Sequence, residues 1–165
     1  MKAKKLCILG ILISLSMILS YVESLVNILP GFPGFKIGLA NICVLFCMYK
    51  YSYKEAATVL IIRVILVGFM FSSLASMLYS LSGALLSFAV MVLIKKMNCF
   101  SIYAVSTAGG VCHNFGQLVM AMLVLNTKAV MSYLPFLIIF GSVSGFLMGV
   151  ISEEINKRIV AERLR

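Results

Sequence analysis

Leu6-Cys7-Ile8-Leu9-Gly10-Ile11-Leu12-Ile13-Ser14-Leu15-Ser16-Met17-Ile18-Leu19 runs without a charged residue, directly after Lys2, Lys4 and Lys5. Apart from Glu23 the apolar character continues to about residue 28. A helix needs roughly 20 apolar residues to cross a hydrocarbon layer of about 30 Å, so 6–28 is long enough to span a bilayer. A cleaved leader would need a small-x-small site after its apolar region, and Ser20-Tyr21-Val22-Glu23-Ser24 has no convincing one. The stretch is therefore read as a retained first transmembrane helix.

Five further apolar stretches follow, at about 38–49, 55–72, 75–94, 101–126 and 130–151. Over the 165 residues, 62% are hydrophobic and 12% charged, against roughly half and a quarter in ordinary soluble domains. That much apolar surface needs a bilayer as its solvent. The expected fold is an all-α integral membrane protein, six transmembrane helices in one bundle, forming a single transmembrane domain over 1–165. Residues 152–165 form a basic tail. The second stretch is short, so it is tilted, extended by its flanks or only partly spanning. Pro30-Gly31-Phe32-Pro33-Gly34 cannot be helical throughout and separates it from the first.

The net charge of +9 would suggest nucleic acid in a soluble protein. Here it reports orientation instead. With the N-terminus inside, Lys2, Lys4, Lys5, Lys50, Lys54, Lys95, Lys96, Lys157, Arg158, Arg163 and Arg165 fall on the cytoplasmic side. Only Lys36 and Lys128 fall outside, a strong positive-inside bias. Both termini are expected to be cytoplasmic. The remaining cation, Arg63, lies inside the third span.

Ionisable groups in lipid are costly and face the bundle interior or a cavity, so each is informative. Arg63 keeps its proton and needs an anion or a set of carbonyls. Two readings stand: an ion pair with Glu23, or an anionic ligand. In the fifth span, Ser106, Gly110, His113 and Gln117 fall within about 60° of one another, with Asn114 at the edge of the stripe. Gly109 and Gly116 permit close helix approach beside it. His113, Asn114 and Gln117 either recognise a ligand or hold the bundle together through interhelical hydrogen bonds. On the first helix, Ser16, Ser20, Glu23 and Asn27 share one side. Cys7, Gly10 and Ser14 lie opposite, and Gly10 to Ser14 is a small-xxx-small pattern suited to close packing. Asn41 lies one turn into the second span, beneath an outer loop carrying Lys36, which is a lid or a rigid connector.

The chemistry the chain lacks is as telling. It has one His, no Asp and five cysteines, with Cys43 and Cys47 on one helical face but no second ligand pair nearby. No metal and no cofactor are expected. No phosphate-cradling Gly-rich loop ending in Lys-Ser/Thr is present, so ATP hydrolysis would fall to other chains. No nucleophile–base arrangement is recognisable, and an intramembrane enzyme using His113 with Glu23 is the least favoured function.

Phe35-Lys36-Ile37-Gly38-Leu39-Ala40-Asn41-Ile42, Arg63-Val64-Ile65-Leu66, Ser80-Leu81-Ser82-Gly83 and His113-Asn114-Phe115-Gly116-Gln117-Leu118 together resemble the small membrane proteins known as Gx transporters or heptaprenyl diphosphate synthase component I. The likeness runs from about residue 5 to 150. That family is similar to the substrate-binding S components of energy-coupling-factor transporters. The resemblance implies six helices, an outward pocket, a gating loop after the first helix and a location in the bacterial plasma membrane. It also implies docking of a transmembrane coupling subunit on small residues of the first helix, here Gly10 and Ser14, with ATPase subunits on other chains. The expected function is uptake of a small, anionic cofactor, vitamin or isoprenoid or quinone precursor. Glu23, Lys36, Asn41, Arg63, His113, Asn114 and Gln117 are its candidate substrate-binding residues. The alternative is a non-catalytic membrane companion of a heptaprenyl diphosphate synthase. Trans-prenyl synthases bind Mg²⁺ through Asp-rich motifs, which a chain without Asp cannot contain.

Overall fold

The computed structural model describes residues 2–25, 38–71 and 73–163. Lys36 and Asn27 lie outside them. The described chain is an all-α bundle: α1 (Lys2–Leu25), α2 (Asn41–Lys50), α3 (Tyr53–Phe71), α4 (Leu74–Lys96), α5 (Ile102–Leu125) and α6 (Leu134–Arg163), with a short 3-10 turn over Ala129–Tyr133 before α6. Ser73 and Ser101 cap α4 and α5, each accepting an N–H from the first turn. Asn126, in the left-handed conformation, ends α5.

The bundle is apolar outside and holds its polar groups inside. Phe69, Leu6, Leu123 and Leu74 are each at least about two-thirds exposed, whereas Ser16, Glu23, Arg63, Ser87, Ser106, His113, Asn114, Gln117, Ser144 and Ser152 are buried. In water this arrangement would cost heavily on both surfaces; in a bilayer it is the favourable one. By length and apolarity α1, α4, α5 and α6 with its leading turn can each cross a membrane. α3 has comparable length at 19 residues but carries Lys54, Glu55 and Arg63.

α2 is different in kind. Its 10 residues make about 15 Å of helix, half the hydrocarbon thickness. It is also deeply enclosed, with Cys43, Val44, Leu45, Cys47 and Met48 at 2% exposure or less. Cys43 and Cys47 thus pack in the apolar core. Of the three readings left open for this stretch, tilted, extended or partly spanning, the described helix is the partly spanning one.

The basic residues collect at one end of the bundle. Lys5 of α1 pairs with Glu55 of α3, and Lys95 of α4 donates to the Met48 carbonyl at the end of α2. The Lys95 ammonium also stands 4.3 Å and 4.9 Å from the Tyr49 and Tyr53 ring centres. α1 and α3 therefore run parallel, which the Tyr21–Phe71 ring contact at 4.9 Å confirms at their other ends. α6 has 30 residues, about 45 Å, so its last turns project past the bilayer. Glu153 with Lys157 and Glu154 with Arg158 pair along them, at 2.9 Å each.

α5 and α6 meet backbone to backbone. A Cβ placed on Gly110 would lie 2.3 Å from the Gly141 carbonyl oxygen, and one on Gly145 would lie 2.6 Å from that of Ser106. Gly149 similarly sits against the Cα of Tyr103, at 3.0 Å from its would-be Cβ. Gly141, Gly145 and Gly149 are spaced i, i+4, i+8 along α6, a small-xxx-small stripe repeated once. The other small-xxx-small pattern, Gly10 with Ser14, makes no such contact with another described helix. Gly10 instead has nothing within 4 Å of its would-be Cβ. Ser14 is exposed, with its hydroxyl donating to the Gly10 carbonyl of its own helix at 3.0 Å.

Candidate functional site: a polar pocket around Arg63

Half a helix ending inside a bundle leaves its N-terminus at mid-depth. The chain enters α2 through Gly38, which has φ +83°, a conformation that suits glycine. Asn41 N–H bonds to the Gly38 carbonyl at 2.8 Å and Ile42 N–H to the Leu39 carbonyl at 3.2 Å. No side chain caps this end, so α2 presents the positive end of its dipole to the bundle interior.

Around that end lies a small cavity of about 20 Å³, lined by Ser20, Glu23, Gly38, Asn41, Arg63, Val64, Val67, Ser80 and His113. Arg63 is near the middle of α3 and His113 near the middle of α5. Arg63 is 7% exposed. Its Nη2 donates to Asn41 Oδ1 at 3.3 Å, while its buried Nε has no hydrogen-bond partner among the described residues. Glu23 lies close enough to act electrostatically on Arg63. A Glu23 carboxylate oxygen also accepts the Gly38 N–H, which ties the C-terminal part of α1 to the entry of α2. The two sides of α1 thus part company: Ser16 and Glu23 are buried, Ser20 is half-buried, and Cys7, Gly10 and Ser14 face outward.

The α5 stripe divides. His113 lines the cavity. Asn114, the next residue, turns about 100° away and donates from Nδ2 to the Leu137 carbonyl of α6 at 2.9 Å. Gln117 packs against α4, its Cγ 2.7 Å from where a Gly83 Cβ would be. The same glycine leaves room for the His113 carbonyl, 2.6 Å from that point. Ser82 locks the crossing by donating to the Gly116 carbonyl at 2.9 Å.

Of the residues singled out from sequence, Glu23, Asn41, Arg63 and His113 come together around one cavity. Asn114 and Gln117 are buried but contact α6 and α4 instead, and Lys36 is outside the described residues. Asn41 sits at the level of Arg63, because the 10 residues from Lys50 back to Asn41 rise only about 15 Å. It also borders a second void of about 10 Å³ that reaches Leu45, Met91, Ser106, Gly109 and Ser144. Ser80 and the valines Val64 and Val67 were not singled out as lining residues. Val67 lies four residues beyond Arg63, so helical spacing was the available signal for it, and for Val64 the signal was its place in the Arg63–Leu66 motif. For Ser80 the signal was its place in the Ser80–Gly83 motif.

A buried cation beside a half-helix N-terminus, with amide, hydroxyl and imidazole groups around it, can bind an anionic oxygen. Among the described residues no group of three or more His, Cys, Asp or Glu stands where it would hold a metal. Neither the curated proteins nor the solved structures contain a match to this chain. A family model does match, over residues 12–155, and it is the one described as heptaprenyl diphosphate synthase component I. Its span takes in every lining residue of the pocket, from Ser20 to His113, and the chain belongs to that family.

Proposed function

We propose that this protein is the substrate-binding membrane subunit of an uptake system of the energy-coupling-factor type, capturing a small anionic cofactor, vitamin or isoprenoid or quinone precursor. The observation that carries this reading is the buried Arg63 Nε, unsatisfied among the described residues, on the wall of a polar cavity. An arginine at the centre of a membrane helix costs about 2.5–3.5 kcal/mol on insertion scales. A guanidinium held there with a free donor is placed to receive an anion. The cavity as it stands, about 20 Å³, has room for about one water, so binding an organic molecule requires the lining helices to part.

The distribution of charge supports an orientation with both termini in the cytoplasm. The basic end gathers Lys5, Lys50, Lys54 and Lys95. Counted from it, Glu23 and Arg63 of the pocket lie past the midpoints of α1 and α3. The outward side of α1, with Gly10 and Ser14 bare, is then the surface offered to a transmembrane coupling subunit, whose ATPase partners are separate chains.

Mass spectrometry of small molecules released from protein purified in mild detergent tests the function. A stoichiometric anion, lost in Arg63→Met, is expected. Purification without any bound small molecule, together with an unchanged profile in Arg63→Met, would overturn capture. Orientation is checked separately, with single cysteines in an otherwise cysteine-free chain: a label added to intact cells should reach position 128 but not 54 or 95. The family description favours a second reading, a non-catalytic membrane companion of a prenyl diphosphate synthase. Co-purification of a synthase chain, with no ligand in the pocket, would select it.

A further inference from the structure

α2 and α3 form a helical hairpin. Tyr51 and Ser52 alone separate Lys50, the last residue of α2, from Tyr53, the first of α3. The turn closes with the Tyr51 N–H donating to the Cys47 carbonyl at 2.9 Å. From the turn, the arm of α2 back to Asn41 rises about 14 Å, and the arm of α3 on to Arg63 about 15 Å. The arms are matched, so their tips meet, and Arg63 Nη2 donates to Asn41 Oδ1 at 3.3 Å.

A third helix holds the turn. The Met48 carbonyl belongs to the last turn of α2, where carbonyls run out of intrahelical partners. Lys95, at the end of α4, donates to it. The same Nζ stands over the Tyr49 ring of α2 and the Tyr53 ring of α3, at 4.3 Å and 4.9 Å from their centres. Lys95 thus grips both arms of the hairpin where they join. Between its two ends α2 packs through Cys43, Val44, Leu45 and Cys47, and apolar packing has no preferred direction. The chain through Tyr51 and Ser52 limits sliding of the arms but leaves the angle between them free. A change of about 5° at the turn moves a tip about 15 Å away by about 1 Å. At 3.3 Å the Arg63–Asn41 bond is already longer than most N–H···O bonds, so a displacement of that size breaks it.

We infer that Lys95 is a positioning residue for the pocket: by clamping the turn it sets where Asn41 stands against Arg63. α2 is then the rigid link through which the basic end of the bundle governs the pocket. The link acts on geometry whatever the pocket holds, so its test needs no ligand, and its failure leaves the capture reading standing.

Arg63 itself reports the link. The chain has three other arginines, Arg158, Arg163 and Arg165. Full-length protein in mild detergent, with its arginines isotope-labelled at nitrogen, therefore gives few side-chain N–H resonances in NMR. The one lost in Arg63→Lys belongs to Arg63. Asn41→Ala removes the acceptor and calibrates the shift. Lys95→Met should move the Arg63 resonance in the same direction. Added to Asn41→Ala it should move the resonance no further, because the link is already cut at its tip, whereas independent distant sites contribute additively. Lys95→Arg keeps the donor and the ring stacking and should hold the resonance at its parent position. Lys96→Met, at the exposed neighbour, should not move it. Should Lys95→Met fail to fold, Lys95→Gln, with an N–H donor on a shorter neutral side chain, takes its place in the same comparison. An Arg63 resonance unmoved by the loss of Lys95, moved equally with and without Asn41, or moved as much by Lys95→Arg or Lys96→Met would overturn the inference.

Discussion

Arg63 and Asn114 are both buried, both polar and both near the middle of their helices, yet the bundle treats them in opposite ways. Asn114 lies on the α5–α6 seam and spends its amide on the Leu137 carbonyl. Arg63 lies where α1, α3 and the N-terminus of α2 diverge, and keeps a donor unsatisfied among the described residues. The difference follows from the glycines. On the seam, Gly110, Gly141 and Gly145 bring two backbones together, and the Asn114 amide reaches the opposite helix. Around Arg63 a half-helix stops short, and the space above its N-terminus is left for a cavity. Asn114 is structural where glycines close two helices, and Arg63 is available where a helix ends early.

The largest effect expected from breaking this contrast is at the seam. Gly110→Leu places a Cβ 2.3 Å from the Gly141 carbonyl oxygen. The obstacle is backbone, which cannot swing aside as a side chain does, so the helices must separate along several turns. Overpacking ordinarily costs about 1–3 kcal/mol and sometimes more; here about 3 kcal/mol or more is expected. Melting in detergent, followed by size-exclusion chromatography, reads it out. A monodisperse Gly110→Leu protein melting with the parent would show that the seam is not what sets the α5–α6 distance.

A smaller effect separates the two fates of the α5 stripe. Asn114→Leu removes one interhelical hydrogen bond, and such bonds contribute about 0.6–1.7 kcal/mol within membranes. The variant should melt lower by an amount of that size, while its Arg63-dependent ligand binding stays within about twofold of the parent, well below the tenfold that 1.4 kcal/mol would produce. Lost binding with unchanged melting would return Asn114 to the pocket and erase the distinction drawn here.

The same stripe shows how far sequence alone reaches. The inward side of α1 and the cost of Arg63 were legible, because a period of 3.6 and an isolated charge in an apolar run are local signals. That His113, Asn114 and Gln117 would not converge was not legible. Consecutive residues on one helix point about 100° apart, and which of them meets the cavity depends on where the neighbouring helices stand. α6 stands where Gly141, Gly145 and Gly149 allow it, and that spacing was present in the sequence but unread. The end of α2 at Asn41 was hidden for another reason, because Gly38 with its positive φ lies inside the motif from which a longer helix was expected.

The smallest expected effect on stability is at Gly10, the glycine that has no neighbour. Its would-be Cβ meets nothing within 4 Å, and Ser14 satisfies its own hydroxyl on the Gly10 carbonyl. Gly10→Leu should therefore leave melting within about 0.5 kcal/mol of the parent, as for surface positions generally, with a slight gain from better helix propensity. Gly110→Leu introduces the same side chain at the same type of residue with an opposite result, so the pair measures packing alone. Function gives Gly10 its second test. If the bare strip of Gly10 and Ser14 seats a coupling subunit, a leucine there should abolish co-purification of that subunit while ligand titration stays unchanged, since the polar side of α1 lies on the opposite face. If association also stays unchanged, the strip faces lipid, and the docking surface has to be sought on another helix.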